Sequence, residues 1–105
     1  MGLFSRHRMA KKLMTRNLLT FELGQDNDQL FIHGDPDGLR RFAEKLLSLA
    51  DAAEKLDFPH AHMFTEHWGG EELTSEPQEI GHRCLNHVKI YGWPDIRGAA
   101  PYKKQ

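Results

Sequence analysis

Seven of the 105 residues are histidine, the side chain best suited to ligating a metal or moving a proton near neutral pH. His60 and His62 stand two apart in a stretch that alternates like a strand, so both point to one side. His87, in a second strand-like run, can supply a third imidazole to the same ion. The spacing permits a metal triad without specifying one, because no Cys-x-x-Cys, His-Glu-x-x-His or carboxylate cluster accompanies it. A small metal-dependent enzyme using His60, His62 and His87 is therefore the alternative reading. Cys84 with His82 or His87 suggests a nucleophile and base, but all three fall in one segment, with no orienting group and no oxyanion-type glycine turn. Cys84 reads instead as a small buried thiol. Gly34, Gly38, Gly69, Gly70 and Gly81 form no phosphate-cradling loop and read as turns. The residues thus predict no catalytic set and no cofactor.

What remains is a cluster suited to binding. Trp68, Tyr91 and Trp93 lie near His87 and Lys89, with Glu66, Glu71 and Glu72 close in sequence. Aromatic and charged side chains on an uncovered sheet face are frequent hot-spot material in protein interfaces. Trp68 and Trp93 can equally seal the ends of a core. The expected partner-binding residues are His60, His62, Trp68, Glu71, Glu72, His87, Lys89, Tyr91 and Trp93.

These residues must be held by a scaffold, and its best-defined part starts at Asp35-Pro36-Asp37-Gly38 and runs to about Lys55. Asp35 is a good N-cap, Pro36 suits the first helical position, and Asp37 places negative charge at the positive end of the dipole. Apolar residues recur at Leu39, Phe42, Ala43, Leu46, Leu49, Ala50 and Ala53, a helix-period stripe that must be buried, with Phe42 and Leu46 at its centre. Leu18 to Leu23 and Gln29 to His33 read as a β-hairpin across the polar connection 24–28. After Asp57-Phe58-Pro59 stops the helix, a strand begins near His60, with His60, His62 and Phe64 on one face and Ala61, Met63 and Thr65 on the other. Trp68-Gly69-Gly70 is a turn, with room for a short strand at Glu72-Leu73-Thr74, and Ser75 to Gly81 is a surface loop. Cys84 to Tyr91 is the most strand-like run, with Val88 and Ile90 on one face and His87, Lys89 and Tyr91 on the other. The expected fold is α+β: an antiparallel β-β-α-β-β meander, with space for one extra short strand, and one long helix packed on one face.

A chain of this length makes one domain. The expected organisation is a basic arm over 1–17, a single α+β domain over 18–95 and a loose tail over 96–105. No apolar run approaches the ~20 residues that span a bilayer, and the basic start is followed by no secretory apolar core. The sixth position is Arg6, so a myristoylation pattern fails. One cysteine excludes an internal disulfide and fits a reducing, cytoplasmic setting. The net charge of −1 hides an asymmetry: five Lys/Arg and no acids occupy 1–16, leaving nine basic against fifteen acidic residues in the body. An acidic body argues against a dedicated nucleic-acid binder.

Several segments together resemble immunity protein family thirty-two of bacterial polymorphic toxin systems. They are Leu30-Phe31-Ile32-His33-Gly34-Asp35 before a Leu-rich helix, Pro59-His60-Ala61-His62, Trp68-Gly69-Gly70 with Leu73, and Asn86-His87-Val88-Lys89-Ile90-Tyr91-Gly92-Trp93-Pro94. The resemblance covers about Leu18 to Pro94. It implies a small cytosolic α+β protein, encoded beside a toxin, that protects the producing cell by binding that toxin. The arm before Asn17 and the tail after Pro94 are additional to the pattern.

Overall fold

The computed structural model describes residues 17–55 and 58–94. The expected arm, apart from Asn17, and the expected tail lie outside the described residues. Strands β1 (Leu19–Leu23) and β2 (Leu30–Gly34) form the predicted hairpin, antiparallel with Phe21 opposite Ile32 and Glu22 opposite Phe31. Helix α1 follows over Pro36–Glu54. Its start is built as the residue types dictate: Asp35 is extended, and its Oδ1 accepts the Gly38 N–H at 2.7 Å. A Cβ at position 38 would overlap the Leu18 carbonyl, so glycine is what lets the helix start so close to the chain entering β1.

Strand β3 (His60–Phe64) leads into a single 3-10 turn at Glu66–Trp68. It is followed by a two-residue strand β4 (Arg83–Cys84) and by β5 (His87–Tyr91). The architecture is α+β with antiparallel pairing, as expected, but the strands divide between two sheets. One has the order β2-β1-β4 and the other pairs β3 with β5. The run predicted as one strand from Cys84 to Tyr91 changes sheets at Leu85-Asn86. Leu85 N–H donates to Phe21 O at 2.8 Å, and Asn86 O accepts from Thr65 N–H at 3.0 Å. Thr65 is itself buried, and its hydroxyl donates to Asn86 Oδ1 at 2.8 Å, which pins the switch point. The extra short strand is therefore β4. Leu73 forms only an isolated parallel bridge with Thr65.

The core lies where the sheets and helix meet. Leu19, Phe21, Met63 and Leu73 are its buried centre, with Phe42, Leu85, Val88 and Ile90 packed against it. Phe42 meets Phe21 edge-on, centroids 5.4 Å apart at 86°. Leu46, expected beside Phe42 at the centre of the buried stripe, is 41 % exposed, whereas Leu49 and Ala53 are buried. The apolar face of α1 is wider than the surface the two sheets offer it, so part of the stripe stays in solvent.

One polar side chain behaves unlike its position in the alternation. Glu22 points to the side of β1 opposite Phe21, yet it is 0 % exposed. The loop 75–82 folds across that side. The Gln78 N–H donates to Glu22 Oε2 at 2.8 Å and His82 Nδ1 stands 3.0 Å from Oε1, while the Thr20 hydroxyl donates to Oε2 at 2.6 Å. A buried carboxylate with three donors is a satisfied anchor rather than a liability. His33 Nε2 lies 3.2 Å from Glu79 Oε2 and 3.9 Å from Glu22 Oε1; it is close enough for attraction but makes no aligned hydrogen bond.

Candidate partner-binding face

The register of β3 and β5 sets His60 opposite Tyr91, His62 opposite Lys89 and Phe64 opposite His87. All six side chains project from the same face, because Met63, Val88 and Ile90 take the other and enter the core. Their rings form a continuous row. Phe64 and His87 stack at 4.4 Å and 11°, His62 and His87 at 5.1 Å and 14°, His60 meets His62 edge-on at 5.2 Å, and His60 lies 6.0 Å from Tyr91. Lys89 Nζ sits 4.8 Å from the centre of the Tyr91 ring. Five of the expected partner-binding residues, His60, His62, His87, Lys89 and Tyr91, are thus neighbours on one exposed sheet face.

The other four are not part of this row. Trp68, 60 % exposed, stands on the 3-10 turn beyond the Phe64 end. Trp93 lies past the Tyr91 end and meets Phe58 edge-on at 5.8 Å. Glu71 and Glu72 line a groove between α1 and β3, and Glu72 Oε1 accepts the Phe64 N–H at 3.0 Å on the outer edge of β3. Phe64 was missed as a site residue, although the two-residue period already set it beside His60 and His62.

His62 Nδ1 and His87 Nε2 are 2.8 Å apart, so each imidazole has a nitrogen engaged by the other. Desolvation, with Lys89, His87 and His60 nearby, holds His62 below its ordinary value of 6.5. His62 is consequently neutral at neutral pH. Among the described residues no group of three or more His, Cys, Asp or Glu side chains is placed to hold a metal ion, so nothing supports the triad of His60, His62 and His87 as a ligand set. Burial, with Glu22 and Glu76 nearby, pushes the Cys84 thiol up, away from the reactive thiolate. His82 is bonded to Glu22. No helix among the described residues is long and apolar enough to cross a membrane.

The described residues thus form a small α+β domain with one sheet face that carries a row of rings. The family profile described as Immunity protein 32 matches residues 29–83, just over half of the chain, and the chain belongs to that family. The matched stretch runs from β2 to β4, so β5 and the resemblance over Asn86 to Pro94 lie beyond it. No curated protein and no solved structure matches the chain.

Proposed function

We propose that this chain is an immunity protein that binds a cognate toxin of a bacterial polymorphic toxin system and neutralises it by covering its active or essential surface. Membership of the Immunity protein 32 family supports the class. The observation that carries the binding mode is the row of exposed rings on β3 and β5, Tyr91, His60, His62, His87 and Phe64, with Lys89 among them. A planar, partly aromatic surface is cheap to desolvate, and rings of few rotors lose little entropy on binding. The acidic body suits a basic partner surface, such as the substrate groove of a nuclease. The protein acts in the cytosol of the producing cell and has no hydrolytic activity of its own.

The test is direct. The purified chain, mixed with the toxin domain encoded by the neighbouring gene, should abolish that domain's activity at about one-to-one stoichiometry, and Tyr91→Ala with His87→Ala should weaken the inhibition. Unchanged toxin activity at a tenfold excess of the chain would dismiss the reading.

A further inference from the structure

The outer edge of β3 carries a second recognition feature. Gly92 N–H donates to Pro59 O and Thr65 N–H donates to Asn86 O, so Pro59, Ala61, Met63 and Thr65 turn their backbone groups toward β5. Phe64 turns the other way: its N–H goes to Glu72 Oε1 and its C=O accepts the Leu73 N–H at 3.2 Å. The two-residue period places the N–H and C=O groups of His60 and His62 on that same outer side, repeating about every 7 Å. Among the described residues no hydrogen bond reaches them.

That edge borders a groove of about 620 Å³ between α1 and β3, lined both by apolar side chains, Phe42 and Ala61 among them, and by charged ones, Arg41, Lys45, Glu71 and Glu72. One end of it already contains a strand-like bridge between the sheets. Leu73 N–H bonds to Phe64 O on β3, and Thr74 N–H bonds to Leu19 O on β1 at 2.9 Å. Beyond this stub, toward His60, no backbone hydrogen bond among the described residues continues it. A row of backbone donors and acceptors at strand spacing, beside a groove with both apolar and charged lining, is complementary to an extended polypeptide that alternates apolar with polar or charged side chains.

We propose that the groove receives an extended segment of the partner protein, which adds as a third strand to β3 along His60 and His62. The proposal rests on the reading of the chain as a toxin-binding protein and locates part of that contact. Main-chain hydrogen bonds would give the segment affinity, Phe42 would offer an apolar contact, and the exposed Glu71 and Glu72 would favour a basic side chain beside it. The added strand also relieves a two-stranded ribbon, the least self-sufficient form of sheet.

The test uses the full chain, labelled for amide-resolved NMR, and an eight-residue peptide alternating Val with Thr or Lys as the probe. In the free protein the His60 and His62 amides should exchange with solvent at least about a hundredfold faster than those of Ala61 and Met63. The peptide should cause saturable shifts at His60, His62 and the groove-lining residues. A version N-methylated at alternate residues, or the variant His62→Pro, which removes the outward N–H and the imidazole paired with His87 but no backbone bond to β5, should bind at least about tenfold more weakly. Slow exchange of His60 and His62 in the free chain would overturn the proposal, because the edge would then be occupied by the chain itself or a second copy. Absence of saturable shifts at millimolar peptide, or equal binding of the N-methylated peptide, would overturn it as well. A toxin that is still neutralised by His62→Pro at full strength would reject this contact alone, whereas a toxin that is never bound would reject the functional reading beneath it.

Discussion

His82 Nδ1 stands 3.0 Å from Glu22 Oε1 across sixty positions of chain, and this contact ties the loop 75–82 to the back of the β2-β1-β4 sheet. Burial alone pushes the Glu22 carboxyl up, but the Thr20 hydroxyl, the Gln78 N–H, His82 and the nearby His33 outweigh it. The net value is held below the ordinary 4.5. A carboxyl depressed in the folded state contributes stability that is present above its unfolded value and lost as pH falls through its folded value. Acid lability should therefore set in below about pH 4.5 and deepen with further acidification. Glu22→Ala, which leaves the Gln78 N–H and the His82 ring without their acceptor, should cost on the order of 3 kcal/mol at pH 7. Glu22→Gln, which keeps an oxygen, should cost less and flatten the acid limb. Urea unfolding across pH 3 to 7 checks both, and an unchanged acid limb in Glu22→Gln would assign the lability to another group.

The helix cap gives a smaller and cleaner expectation. Asp35 Oδ1 satisfies one of the orphan N–H groups of α1 at 2.7 Å. Asp35→Ala should cost about 1 kcal/mol, and at most about 2, while Asp35→Asn should stay near the parent because asparagine caps almost equally well. Equal urea midpoints for the parent and Asp35→Ala would mean that the cap contributes nothing.

The core prediction separates two leucine-sized residues. Met63 is 1 % exposed at the junction of both sheets, and Leu46 is 41 % exposed on α1. Met63→Ala should cost about 2 to 5 kcal/mol and Leu46→Ala less than about 1. Thermal melts of the two variants, read against the parent, should rank them in that order. A larger loss for Leu46→Ala would show that the exposed part of the helical stripe is covered in solution.

How far this arrangement can be read from the residues depends on the range of the forces that set it. The start of α1 was legible because Asp35, Pro36 and Asp37 act within one turn, and the facing of His60, His62, His87, Lys89 and Tyr91 was legible because alternation is local. Periodicity names the side on which a residue lies and says nothing of what covers that side. Nothing local to Glu22 announces the loop 75–82 that buries it, and Leu46 reads as core although the sheets stop short of it. The switch of sheets at Leu85-Asn86 was hidden for a related reason. It is made by Phe21 and Thr65, residues far away in sequence, while Cys84 to Tyr91 is locally good strand throughout.

The last prediction concerns the exposed face itself. Tyr91 is 56 % exposed, borders His60 and carries Lys89 over its ring, so truncating it removes contact area without opening the core. Tyr91→Ala should leave the urea midpoint close to that of the parent, as surface substitutions do, and should weaken toxin binding by at least about 1 kcal/mol. His87→Ala removes the ring shared by the Phe64 and His62 stacks and the bond to His62, so its effect on binding should be at least as large. Glu71 and Glu72 are exposed in the groove beside β3. Association should accordingly slow as ionic strength rises while dissociation changes less, the signature of charges that steer more than they hold. Titration calorimetry and stopped-flow mixing with the toxin domain measure the two effects separately. Full affinity in the triple variant Tyr91→Ala, His87→Ala and Trp68→Ala would move the interface off this face, to the acidic loop that Glu22 holds in place.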